Sequence, residues 1–325
     1  MPPSIIEANK ELLRKMFSHA YDSYMYNAFP ASELQPKTCT GGTFNLVRLP
    51  ALTLIDTLDT LIVMRNYTEF ARSTERIRYL DSKMRREYKH NRKDRKDEMG
   101  GLFSINQNVS LFETTIRVLG GLLSAHQLAL VFMNGVVPMS EVLDTSGEVL
   151  WGYNTDNDSD GRIMNKRKID ADLFDDNILS LSRSPPCMPR KQPNNFTSPD
   201  NSCWIYDGMF LELAHDIGKR LVYAFDTDTG IPFGTVNLLH GVPVGETEIA
   251  SLAGAGTLTL EFELLSRLTG DPSFGKAAMR ATRSLWLKRS RVSDLFGKVS
   301  LLVFKYHLCI DSIAKSFINI MLVYY

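Results

Sequence analysis

Apolar residues recur along this chain at spacings of three and four, and strict alternation is scarce. The pattern predicts helices over residues 4–27, 51–65, 68–86, 110–132, 207–225, 257–268 and 272–287. Three of these helices open alike. "LTLIDTLDTL", "VSLFETTIRVL" and "GTLTLEFELL" each place Ser or Thr first, then apolar residues, then a carboxylate one turn in. Weak repetition of helical hairpins points to a solenoid or a closed α/α ring. The expected fold class is all-α.

Two stretches break the pattern. Residues 83–98, "KMRREYKHNRKDRKDE", hold eight basic and four acidic side chains. Lacking interleaved aromatics, the stretch is expected to be a solvated helix end or loop rather than a nucleic-acid patch. Residues 144–201 are rich in Asp, Asn, Ser and Pro and are expected to lack regular structure. "DNDSDG" within them resembles part of a calcium loop. Such a loop needs Glu six residues after the glycine, where this chain has Arg167 after Gly161. The apolar tail, 300–325, is interrupted by Lys305, His307, Asp311 and Lys315. It falls short of the roughly eighteen apolar residues of a membrane helix.

The helix over 110–132 has an unusual polar side. At 3.6 residues per turn Phe112, Ile116, Leu119 and Leu123 form one apolar row, and Leu111, Val118 and Leu122 another. Glu113, Arg117 and Ser124 occupy the third side, with Gly120 and Gly121 between them. A helix packed on two sides with one polar side suits the inner wall of a ring. There the glycines are expected to keep a lumen open, at about 1 kcal/mol each relative to Ala. A plainer account also stands: Ser110 and Glu113 match a capping box, and Glu113 and Arg117 form an i,i+4 pair. Thr53 with Asp56 repeats the Ser/Thr-x-x-acid opening. Thr257 and Glu261 share a face, while Glu263 pairs outward with Arg267. Carboxylates converging at one mouth of a ring suit acid and base work on a polyhydroxylated ligand. Asp56 and Asp59 are more ordinary as capping or inter-helix residues.

Composition narrows the partners. Thirty-seven basic and 37 acidic residues leave a formal charge of zero, with no global attraction to nucleic acid or an anionic membrane. The four cysteines, Cys39, Cys187, Cys203 and Cys309, form no CxxC pair, so no zinc site is expected. Cys187 and Cys203 flank one polar stretch; a disulfide and two free thiols both remain open. Sequons at Asn66, Asn108, Asn157 and Asn195 hint only weakly at secretion. The N-terminal residues lack the apolar run of a signal peptide, which leaves a cytosolic location or a missing true start.

"SLFETTIRVLGGLLSAH", "ALTLIDTLDTL", "GIPFGTVNLLHG" and "LSRLTGDPSF" together resemble class I α1,2-mannosidases. Within them the chain is most similar to the ER degradation-enhancing α-mannosidase-like branch, over about residues 12–299. The resemblance implies a ring of seven helical hairpins, an (αα)7 barrel. It implies calcium-dependent hydrolysis, with inversion, of terminal α1,2-linked mannose from mannose-rich N-glycans on misfolded glycoproteins. It places the chain in the lumen of the endoplasmic reticulum or at its membrane, with an oxidoreductase as a possible partner. It implies that Glu113 is the general acid, that Arg117 contacts the sugar, that Glu261 lines the glycan pocket, and that residues 230–238 form a hairpin at the barrel mouth. One tension accompanies this assignment. A helix N-terminus stabilises a carboxylate's charged form, so desolvation or a second carboxylate must outweigh the dipole for Glu113 to act as an acid.

The chain also departs from that pattern. The stretch "DSYYEYL", the later Pro-Glu motif and the calcium-binding Thr of the last hairpin have no counterpart here, and after "LFGKV" the similarity stops. A partial barrel over residues 1–299 with a divergent tail at 300–325 is expected, from a truncated gene model, a retained intron or a splice form. Little or no hydrolysis by this chain is expected, and lectin-like binding of misfolded glycoproteins is the alternative function. Ser251 stands where members of that branch carry Cys, which leaves the partner of Cys39 open.

Overall fold

A computed structural model describes residues 1–91, 100–133, 136–143, 149–150, 203–290, 292–297 and 299–301. Helices dominate them: α1 (Pro3–Asn27), α2 (Leu52–Val63), α3 (Tyr67–Asn91), α4 (Leu111–Thr114), α5 (Gly120–Phe132), α6 (Met209–Leu221), α7 (Leu252–Gly256), α8 (Thr259–Thr269) and α9 (Ser273–Leu287). A single π turn, Thr115–Leu119, joins α4 to α5 without a break. α2 packs on α3 and α5, α5 on α6 and α8, and α8 on α9, so successive helix pairs stand side by side.

Each helix is held by the stripe its spacing foretells. In α6, Phe210, Leu213, Ala214, Ile217 and Leu221 recur at helical spacing, and all are buried. α8 contributes Phe262 and Leu265, and α9 contributes Phe274, Ala278 and Ala281, to the same core. α1 is tied to α3 through polar groups. The Tyr21 hydroxyl donates to Glu69 Oε1 at 2.8 Å, and Glu69 also pairs with Arg76. All three are buried, and burial pushes the Tyr21 hydroxyl's pKa upward. A buried charge pair needs this full set of partners, because removing any one leaves an uncompensated group.

Three expectations change in the structure. α3 runs on to Asn91, so the first part of the basic stretch continues the helix; residues 92–99 lie outside the described ones. Thr53 does not cap α2. The cap position is Ala51, held left-handed at φ 54°, and the Thr53 hydroxyl donates to the Ser32 carbonyl at 2.8 Å. Short β ladders, which periodicity did not signal, pair β1 (Glu33–Gln35) with β2 (Thr40–Gly42), β3 (Asn108–Ser110) with β4 (Thr235–Asn237), and β5 (Ile249–Ser251) with β6 (Val299–Leu301). Three-residue strands are too short for pattern recognition, since two alternations occur by chance in any chain. The segments 144–148, 151–202 and 302–325 also lie outside the described residues.

The continuous helix Leu111–Phe132 is long and apolar enough to cross a membrane. Half of its apolar window is buried against protein, and Leu119, Leu122 and Leu123 are in the core.

Candidate functional site

The site is built on the first turn of α4. Ser110 is the N-cap, and its hydroxyl accepts the Glu113 N–H at 3.4 Å. The β3–β4 ladder holds this cap against the 230–238 segment, with Ser110 opposite Thr235. The return arm of a capping box is not made. The Ser110 N–H goes to the Leu46 carbonyl at 2.8 Å. The Glu113 carboxylate turns instead to Arg117, whose Nε donates to Oε2 at 2.8 Å.

Arg117 sits inside the π turn. One residue more than an α turn rotates everything after it, and such turns recur at functional sites. Ile116, placed by simple periodicity in an apolar row, is 38% exposed. The turn carries the Arg117 guanidinium across to α2, where Nη1 donates to Asp56 Oδ2 at 3.1 Å. It also stacks over Phe44, 5.3 Å from the ring centre. The hydrogen bond it donates to Glu113, the one to Asp56 and the two neighbouring negative charges raise the guanidinium's pKa, against its partial burial. Burial pushes the Asp56 carboxyl up, against the pull of Arg117. Asp59 is an inter-helix residue too, accepting from Ser124 Oγ at 2.8 Å.

The two glycines have different tasks, and neither simply keeps a lumen open. A Cβ on Gly121 would lie 3.1 Å from the Ile55 carbonyl oxygen, so this glycine lets α2 and α5 approach closely. A Cβ on Gly120 would lie 3.6 Å from Cγ of Glu261. Glu261, the third residue of α8, thus reaches the helix that carries Glu113. Its Oε2 is buried without a hydrogen-bond partner among the described residues, and burial raises its pKa above the ordinary carboxyl value of 4.5. A carboxyl with a raised folded-state pKa favours the fold while protonated and loses that contribution as pH rises through the raised value. Glu261→Gln is therefore expected to raise the melting temperature near neutral pH, with the gain fading as pH falls through the raised value and gone below about pH 4.5. Thermal melts across that range test it; a gain independent of pH would assign the effect to packing.

Glu113 opens onto a cleft of about 270 Å³ lined also by Leu46, Ser110, Phe233, Gly234 and Ser251. Arg117 and Glu261 support the cleft from behind rather than lining it. The hairpin that supplies Phe233 and Gly234 is anchored by Arg220, whose Nη1 donates to the Leu238 carbonyl at 2.8 Å. Gly230, at φ 76°, takes a conformation that side chains resist, and a Cβ there would meet Arg280 at 2.7 Å. Two parts of this cleft escape sequence reasoning. The loop carrying Phe44 and Leu46 has no periodicity to reveal it. Glu246 sits beside the wall, its Oε1 3.9 Å from where a Cβ on Gly234 would be.

The remaining expected residues fall elsewhere. Asn66 caps α3, its Oδ1 accepting the Glu69 N–H, and the exposed Asn108 accepts from Asn237 Nδ2 at 2.8 Å. Asn157 and Asn195 lie outside the described residues. Cys203 is disulfide-bonded, and Cys39 is a free, exposed thiol. Cys187 lies outside the described residues. Among the described residues no group of three or more His, Cys, Asp or Glu side chains could hold a metal ion. Asp56 and Glu113 already share a cation, Arg117, in the space between them. These residues do not fit a calcium ion.

Comparison with known proteins adds to this geometry. The sequence profile of glycosyl hydrolase family 47 matches residues 16–305. The chain is 36% identical over 288 residues to "Alpha-mannosidase I MNS4" of Arabidopsis thaliana, covering 89% of this chain and 32% of that protein. It is 35% identical over 301 residues to the human "ER degradation-enhancing alpha-mannosidase-like protein 2", covering 91% of this chain and 36% of that protein. The chain thus spans about a third of the length of the curated relatives it matches. An α-1,2-mannosidase from Trichoderma reesei superimposes with a TM-score of 0.52 at 21% identity, covering 87% of this chain and 41% of that one. That superposition supports an all-α, helix-rich fold of the same toroid kind.

Proposed function

Because the chain belongs to glycosyl hydrolase family 47, we propose that the Glu113 cleft binds terminal α1,2-linked mannose of N-glycans and presents Glu113 as the proton donor to that linkage. The observation that carries this reading is the placement of Glu113: it lines a cleft while Arg117 holds its Oε2. A general acid must reach the leaving glycosidic oxygen with a fixed side chain. Arg117 fixes the rotamer, and Oε1, without a hydrogen bond among the described residues, is the atom left to face the glycosidic oxygen.

Inverting hydrolysis also needs a second carboxylate about 6.5–9.5 Å away to activate water. Glu261 is poorly suited to that task, because burial disfavours its charged form and it reaches the cleft helix behind Gly120. Its part is to back the helix that carries Glu113, behind the glycan pocket. These residues therefore supply an acid without a partnered base, so binding outweighs hydrolysis in this chain. A lectin-like escort of misfolded, mannose-rich glycoproteins follows from the same observation. The setting inferred is the endoplasmic reticulum, its lumen or membrane surface, in glycoprotein degradation; an oxidoreductase companion rests on the resemblance alone. Residues 1–299 then form part of an (αα)7 barrel with polar insertions, the second near 144–201. Calcium is left out of every step, since the described residues do not fit it.

The test is to incubate the purified chain with a mannose-rich N-glycan, measuring both binding and released mannose. Binding with release near background is expected. Glu113→Gln is expected to remove any release by roughly 10²–10⁴-fold and leave binding largely intact. Release that survives the substitution would take the proton-donor role from Glu113. Absence of binding would end the proposal.

A further inference from the structure

α1 has two apolar sides, and the body of the protein covers one of them. Tyr21, Tyr24 and Met25, in its last turns, are buried, and Arg14 is buried on the same side. From Pro3 to Leu13 no residue of the helix is buried. A second set, Ile5, Ile6, Leu12, Leu13 and Met16, recurs at helical spacing on another side, and each is 40–61% exposed. About three turns of helix that bury nothing gain little from the fold, and so short a helix is marginal in water by itself. A contiguous apolar stripe of this kind marks an interaction surface, unlike apolar residues scattered singly.

The stripe is complementary to itself. Asn9 lies at its middle, three or four positions from Ile5, Ile6, Leu12 and Leu13. Its Nδ2 reaches Met1 Sδ at 4.0 Å, a weak contact. A single Asn in an apolar helix seam fixes register and partner number at a cost in stability. A carboxamide carries donors and an acceptor together, so another carboxamide satisfies it across a seam. In an antiparallel pair crossing at Asn9, Ile5 meets the partner's Leu13, Ile6 meets the partner's Leu12, and the two Asn9 side chains meet each other. Charge does not oppose this pairing. Lys10 pairs with Glu7 at 3.1 Å and Lys15 lies 3.5 Å from Glu11, so the flanks of the stripe are neutral. The same neutrality argues against an anionic membrane, which draws helices rich in Lys and Arg. Five side chains about half exposed offer on the order of 500 Å² per copy, so two copies bury about 1,000 Å², the lower end for a specific interface.

We propose that the N-terminal half of α1 is a dimer interface, through which two copies of this chain cross antiparallel about a two-fold axis at Asn9. The C-terminal half of each α1 stays on its own body, so the crossing holds the two bodies at opposite ends of the helix pair. A two-fold contact uses the same patch on both copies and closes at two, which limits assembly to a dimer.

Sedimentation velocity on the full chain tests this, with free thiols alkylated so that the exposed Cys39 cannot link copies. A monomer–dimer equilibrium in the micromolar range is expected. Leu13→Glu is expected to weaken it by roughly tenfold or more, by burying two unpaired charges. Because Leu13 is exposed, the melting temperature at low concentration should not change. Asn9→Asp and Asn9→Lys are each expected to weaken self-association about tenfold, since like charges then meet at the axis. An equimolar mixture of these two variants is expected to recover association as a one-to-one pair. Recovery on mixing is a readout that mere damage to the helix would not give. A monomer at every concentration, or Leu13→Glu associating like the wild type, would overturn the interface. A mixture that fails to recover would overturn the axis at Asn9. Co-sedimentation of the wild type with phosphatidylcholine–phosphatidylserine vesicles, lost in Leu13→Glu, would overturn the dimer in favour of a membrane contact.

Discussion

Arg220→Ala is expected to cost about 3–5 kcal/mol of stability, the usual penalty for breaking a buried charge pair. The Arg220 side chain is 1% exposed and meets Asp216 at 3.0 Å. It also donates to the Leu238 carbonyl at 2.8 Å and to Ser104 Oγ at 2.9 Å. Alanine would strand Asp216, a carbonyl and a hydroxyl together, and would leave a cavity the length of the lost side chain. The loss should be felt at the cleft as well, because Leu238 ends the hairpin that supplies Phe233 and Gly234. Urea unfolding measures the first effect, and glycan binding at a temperature where the variant is still folded measures the second. A cost below about 1 kcal/mol, the scale of an exposed pair, would mean that water replaces the guanidinium without difficulty.

Arg117→Ala is expected to weaken glycan binding by roughly tenfold, because the guanidinium holds the Phe44 loop whose Leu46 lines the cleft. Its effect on stability should depend on pH in a definite direction. In the wild type the guanidinium lowers the Asp56 pKa against the upward push of burial, and Glu113 pushes it up. Without Arg117 the folded-state Asp56 pKa rises further above its ordinary 3.8. A carboxyl raised in this way contributes to stability only while protonated, and the contribution is lost as pH climbs through the raised value. The variant should therefore match the wild type best below about pH 3.8 and fall behind as pH approaches neutrality. Melting temperatures of both proteins across this range decide the matter. A deficit that stays constant with pH would assign Arg117 a packing role through Phe44 rather than an electrostatic one.

The two variants probe different kinds of information in the chain. The i,i+4 pair of Glu113 with Arg117 and the Ser110 cap are local. They follow from helical spacing alone, and the structure contains both. The same holds for the buried stripe of α6 and for the Glu263–Arg267 pair of α8. Helical periodicity relates residues one turn apart, so it reports faces, pairs and starts.

Periodicity cannot report which faces meet. Asp56 and Arg117 are 61 positions apart, and only the packing of α2 on α5, across Gly121, brings them together. The π turn that aims Arg117 adds one residue to a turn, which no repeat of 3.6 registers. Glu261 reads in sequence as one more first-turn carboxylate. Its buried Oε2, without a partner among the described residues, is set by the packing of α8 on α5. The sequence by itself determined the helices, the family resemblance and the carboxylate at the head of α4. The tertiary structure alone decided that Arg117 rather than a capping bond holds Glu113, and that the loop carrying Phe44 and Leu46 reaches its cleft. These depend on contacts between distant segments, whose geometry is set by the close packing of the whole core.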